Sequence, residues 1–171
     1  MKYLMGFVKF IDFLNDLVGR LVSYLVVPLT FIIVYEVVVR YFFSSPTIWA
    51  WDVNMYLGGL MLILGGGYAH LNKGHVNVEF ILEKWEQKNK VLIDIILSPF
   101  IIIPLVILFM YSLDASIYSF KIKEHHTSLW EPPIYPLRMA IPVGSLLFLL
   151  QSVSRLISDI ELYFKLRNKK D

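Results

Sequence analysis

Four histidines, His70, His75, His125 and His126, are the side chains best suited to hold a metal or a haem, since imidazole is a common protein ligand for both. Their spacing speaks against that use. His70 and His75 fall at one end of an apolar run, and His125 with His126 fall beyond the far end of the next. If those runs cross a bilayer, the two pairs stand a membrane thickness apart. Adjacent His125 and His126 also diverge in most backbone conformations, and no carboxylate-rich pattern joins them. Nucleophilic chemistry lacks its parts: there is no cysteine, no Gly-x-Ser-x-Gly turn, no HExxH and no glycine-rich phosphate loop. We expect no cofactor, no metal site and no catalytic residue.

The elements that carry these residues follow from where the apolar residues lie. Of 171 residues 57% are hydrophobic and only 18% are charged, too few charges to coat a soluble domain of this size. The apolar residues gather in runs at 21–39, 53–69, 91–113 and 139–157. A run of nineteen, as in 21–39, rises about 28 Å as a helix, close to the roughly 30 Å of bilayer hydrocarbon. The chain therefore reads as one all-α integral membrane domain, 1–171, with four transmembrane helices and short interfacial amphipathic helices. Asp12 and Asp16 interrupt any signal-like core near the start, and no small-residue cleavage site follows, so we expect the N-terminus to be retained.

The two amphipathic stretches are 3–20 and 78–88. In the first, Leu4, Phe7, Val8, Ile11, Leu14 and Val18 recur at helical spacing opposite Lys9, Asp12, Asp16 and Arg20. It reads either as an interfacial helix or as a cytoplasmic extension of the first span. Within the spans, Pro28 should bend the first, and Pro99 and Pro104 the third. Asp94 should occupy the first turn of the third span, where a helix N-terminus favours negative charge. Glu36 and Arg40 share a helical face and should pair near the outer interface. Trp49 and Trp51, with Asp52 beside them, suit the headgroup level. Gly58 and Gly65 share one helical face and Gly59 and Gly66 another, a smooth surface on which a second helix can approach closely. Residues 114–138, containing Lys121, Lys123, Glu124, His125, His126, Trp130 and the Glu131-Pro132-Pro133 turn, should form an ordered outer elbow.

Basic residues set the orientation. Twelve lie in the N-terminal segment, the second connection and the C-terminal tail; four, Arg40, Lys121, Lys123 and Arg138, lie on the opposite side. The richer side is cytoplasmic by the positive-inside tendency, which places both termini there. The short basic tail suits anionic lipid rather than nucleic acid. A haem-bearing respiratory anchor would need histidines inside opposing spans. A self-contained small transporter would need a polar pathway, yet Asn54, Gln151 and a few hydroxyls are all the spans offer.

The ordered pieces Arg40-Tyr41-Phe42, Trp49-Ala50-Trp51-Asp52, His75-Val76-Asn77-Val78 and Trp130-Glu131-Pro132-Pro133, leading to Ile141-Pro142-Val143-Gly144, resemble the small membrane subunit of tripartite ATP-independent periplasmic (TRAP) transporters, the DctQ-type family. The likeness runs from about Leu21 to Ile157. Asp52 departs from it, standing where many relatives would carry glutamate. The resemblance implies a sodium-driven secondary transporter of the bacterial inner membrane. A periplasmic substrate-binding protein would deliver an organic acid, such as a C4-dicarboxylate or a sialic acid, to a large and a small membrane subunit. This chain would be the scaffold beside the large, substrate-binding one. It further implies that Glu36, Arg40, Trp49, Trp51, Asp52, the glycines and His75 serve structure or subunit contact, and that the outer elbow meets the binding protein.

Overall fold

The computed structural model describes residues 2–72 and 86–168, and the chain is helical through most of them. Among the described residues five helices follow in order: α1 Lys2–Ser23, α2 Val26–Phe42, α3 Ala50–Leu71, α4 Gln87–Ile122 and α5 Tyr135–Asn168. His75 and nearly all of the second amphipathic stretch lie outside the described residues.

The break between α1 and α2 has a local cause. A turn at Tyr24 and Leu25 is closed by the Val27 amide donating to the Tyr24 carbonyl at 3.2 Å. Pro28, which has no amide hydrogen to give, therefore sits in the first turn of a new helix, where none is required. The sequence places the start of the first span at Leu21 and a bend at Pro28. The structure instead moves the interruption four residues earlier and leaves Leu21 to Ser23 in α1.

The other helices outrun their apolar cores. α4 has 36 residues and α5 has 34, about 54 and 51 Å of rise. Residues 114–122, expected in the outer segment, continue α4, because nothing from Asp114 to Ile122 breaks the hydrogen-bond ladder. At the other end, Asp94 lies two turns inside α4 rather than in its first turn. Pro99 and Pro104 both fall within the continuous helix.

α4 and α5 form the most extensive helix pair, α3 packs on α5, α1 lies against both α3 and α5, and α2 rests mainly on α3. Three helical stretches, 4–42, 87–122 and 135–167, are long and apolar enough to cross a membrane. α3 has the length, at 22 residues, but its glycines and its Asp52, Asn54 and His70 dilute its hydropathy.

Burial is inverted relative to a soluble core. Among the described residues the most buried side chains include Asn15, Asp52, Ser112, Ser116, Ser119, Gln151, Ser152 and Ser154, whereas Phe31, Val34, Phe100, Ile103 and Met110 are exposed. Lipid is as apolar as leucine, so apolar surface gains nothing by turning inward. Small and hydrogen-bonding residues gather where helices touch. Ser116 shows the pattern: its hydroxyl lies 2.6 Å from both the Ser112 and the Arg138 carbonyls, tying α4 to the start of α5.

Candidate functional site

The residues singled out by sequence fall into separate groups. At the end of α2, Arg40 pairs with Glu36 across one turn, and the second Glu36 oxygen accepts hydrogen bonds from the Thr47 hydroxyl and, at 3.3 Å, from the Thr47 amide. Glu36 thus ties the 43–49 connection back onto α2, a role its spacing to Arg40 did not reveal. Trp49 stacks on Tyr35 with ring centroids 6.0 Å apart, holding the same connection from its other end. Trp51 takes no part, with 72% of its surface exposed.

Asp52 belongs elsewhere. It is 1% exposed at the start of α3, and its carboxylate accepts a 2.6 Å hydrogen bond from the Ser128 hydroxyl and lies 3.3 Å from His126 Nδ1. Both partners come from the connection between α4 and α5. That elbow is held along its length. The His126 amide donates to the Pro132 carbonyl at 2.8 Å, and the Ile134 amide to the Glu124 carbonyl at 2.9 Å. His125 and Pro133 form an isolated antiparallel bridge. Arg138 pairs with Glu124 at 2.7 Å, and the Tyr56 hydroxyl donates to the Pro133 carbonyl at 3.1 Å. Lys123 ends α4 in the left-handed conformation (φ 49°), and Glu131 turns the chain back at φ 48°.

The two neighbouring imidazoles face different partners. His125 Nδ1 lies 2.8 Å from the Glu131 carbonyl, while His126 faces Asp52. Among the described residues no three histidine or acidic side chains converge as a metal site would require. What the elbow offers outward is Leu129, 89% exposed, and Trp130, 43% exposed, flanked by exposed Lys121, Lys123 and Glu131.

The glycines divide as well. A Cβ on Gly59 would meet Leu137 at 3.5 Å and one on Gly66 would meet Phe148 at 3.2 Å, both on α5. Gly58 faces Leu29 of α2 at 3.8 Å, and Gly65 faces open space. The tighter positions are others. A Cβ on Gly144 would sit 2.5 Å from the Ile63 carbonyl oxygen, and one on Gly67 would sit 2.0 Å from Asn15 Oδ1.

A buried polar cluster joins α1 to α5. Asp12 Oδ1 accepts from Gln151 Nε2 at 2.8 Å and from the Ser154 hydroxyl at 3.1 Å, and Asn15 Nδ2 reaches the Leu147 carbonyl at 3.4 Å. Further along α5, Arg155 lies 3.8 Å from Asp94 and 3.8 Å from Asp159. Sequence spacing sets Asp12 opposite the apolar stripe of α1. Gln151 stands as the lone amide of its span, and that isolation is the one signal that it needs a partner.

Long apolar helices, joined by buried polar contacts and carrying a pinned elbow between α4 and α5, define an integral membrane protein. A family model, that of the DctQ component of the tripartite ATP-independent periplasmic transporters, matches residues 29–162. The chain belongs to that family and is a component of a transporter rather than an enzyme. No individual curated protein matches it. The family match takes in most of α2, all of α3 and α4 and most of α5, and α1 precedes it.

Proposed function

We propose that this chain is the small permease subunit of a binding-protein-dependent secondary transporter, a scaffold that crosses the bacterial inner membrane four times with both termini in the cytoplasm. In this reading α2 to α5 are the spans. A large membrane subunit holds the substrate and sodium sites, and a periplasmic binding protein delivers an organic acid of the C4-dicarboxylate or sialic acid kind. Uptake is driven by the sodium gradient. The outer elbow, through Lys121, Lys123, Glu124, His125, His126, Trp130 and Glu131, is the surface turned toward the binding protein.

The observation that carries the scaffold role is that 26–35, 53–69, 95–113 and 139–154 hold no Asp, Glu, Lys or Arg, and that Glu36, next along α2, is already engaged by Arg40 and Thr47. A transported anion or sodium ion needs charged or broken-helix groups near the midplane. The half-buried Asp12 carboxylate, on α1, is engaged by Gln151 and Ser154 in joining α1 to α5.

The test is sodium-driven uptake in proteoliposomes containing the large membrane subunit and the binding protein, with and without this chain. Strict dependence on the chain, with the two membrane proteins co-purifying, supports the reading. Full uptake without it removes the scaffold role.

A further inference from the structure

A groove of about 590 Å³ runs between the outer halves of α4 and α5, walled by Phe109, Leu113, Ile117, Phe120, Met139 and Val143. Four of these, Leu113, Ile117, Met139 and Val143, are 40% to 53% exposed, so the groove opens sideways, toward whatever surrounds the helices. From Phe109 to Lys121 it follows α4 for twelve residues, about 18 Å. That is most of the roughly 20 Å of one bilayer leaflet with its headgroup layer.

The two ends differ chemically. The deep end, at Phe109 and Leu146, is wholly apolar. Ser116, partway along, is occupied with the Ser112 and Arg138 carbonyls. At the outer end the groove is lined by Lys121, with Lys123 two residues on, both exposed and neither in an ion pair among the described residues. The neighbouring carboxylate of Glu124 is held by Arg138 at 2.7 Å. Asp114 lies two turns deeper on α4 and is not part of the groove wall.

An apolar slot of leaflet length with free cations at its headgroup end matches an anionic phospholipid. We propose that the groove between α4 and α5 binds an acyl chain of an anionic phospholipid, phosphatidylglycerol in kind, whose phosphodiester is held by Lys121. The placement rests on the topology proposed above, in which the elbow faces outward. It does not depend on the transport reaction.

The full chain is reconstituted in nanodiscs of phosphatidylcholine, doped in parallel with phosphatidylglycerol or phosphatidylcholine carrying a photoactivatable group on one acyl chain. Cross-linked peptides are then mapped by mass spectrometry. Adducts should concentrate on residues 109–120 and 139–146, and phosphatidylglycerol should exceed phosphatidylcholine several-fold. Lys121→Glu should lower the phosphatidylglycerol adduct roughly fivefold, the effect of one lysine beside anionic lipid, while Lys121→Arg keeps it. Val143→Trp should lower both adducts by filling the slot. Adducts spread evenly over the exposed helices, or equal yields from the two lipids in wild type and Lys121→Glu, overturn the proposal. So does loss of the adducts when the large membrane subunit is present, with Val143 then cross-linking to that subunit, because the groove would be a protein interface. Lys121→Glu and Lys121→Arg alter an exposed side chain, so the test survives if Val143→Trp fails to fold. A failed uptake experiment with intact groove labelling separates the scaffold reading from this one.

Discussion

The carboxylate of Asp52, in the first turn of α3, accepts a 2.6 Å hydrogen bond from the hydroxyl of Ser128, 76 residues along the chain in the connection between α4 and α5. With His126 at 3.3 Å it makes one end of α3 the floor on which the elbow between α4 and α5 rests. Asp52→Ala removes the acceptor of the Ser128 hydroxyl, a loss of about 1–3 kcal/mol. Because the chain has no cysteine, Leu129→Cys supplies a single reporter of elbow opening. Its maleimide labelling rate should rise several-fold in the Asp52→Ala background and much less with Asp52→Asn, which keeps an oxygen for Ser128. No rise with Asp52→Ala would mean that Asp52 does not hold the elbow.

Helix packing gives a contrast between two glycines. Gly144→Ala places a methyl group 2.5 Å from the Ile63 carbonyl oxygen, backbone that cannot step aside, so α3 and α5 must separate. A cost of about 1–3 kcal/mol is expected, read as a lowered thermal unfolding midpoint in detergent. Gly65→Ala, with nothing within 4 Å, should leave the midpoint unchanged or slightly raised. Similar losses at the two positions would contradict the packing described.

The attachment of α1 can be measured as a coupling. Asp12→Ala and Gln151→Leu each break the 2.8 Å contact between α1 and α5, so their effects on unfolding in a bilayer should not add. Interhelical hydrogen bonds in membranes average about 0.6 kcal/mol and reach about 1.7, and the double-mutant cycle should return a value in that range. A coupling of zero would show that the Asp12 and Gln151 contact does not hold α1 in place.

Topology is open to the same single-cysteine approach. A membrane-impermeant maleimide should label Thr127→Cys in intact spheroplasts and Arg167→Cys only after permeabilisation. Labelling of both from outside would require an even number of crossings between them, and the four-span arrangement would fall.

Much of the helical framework was legible because apolar runs of span length have few uses outside a membrane. Helix ends were not. Asp114 reads as the end of hydrophobicity, yet the backbone ladder continues to Ile122 since no proline or glycine stops it. The inward side of α1 was also hidden. Hydrophobicity picks out Phe7 and Val8 alike, but Val8 is 5% exposed and Phe7 is 40%, because lipid and neighbouring helices are equally apolar and the pattern cannot tell which covers which. The Glu36 and Arg40 pair followed directly from i, i+4 spacing, whereas Asp52 with Ser128 and Asp12 with Gln151 are contacts between distant segments that no local spacing encodes. Gly144 was named only as part of a motif, and its contact with Ile63 emerges when two helices are set side by side.

The elbow stands on a 36-residue helix without a break and is fastened by Asp52, Tyr56 and Arg138. A loop hanging free would have to freeze on docking, at about 0.5–1.5 kcal/mol for each immobilised side chain, and would blunt any push or pull it received. A stiff ledge loses little freedom on contact, and a tilt imposed at Leu129 passes directly into the long α4.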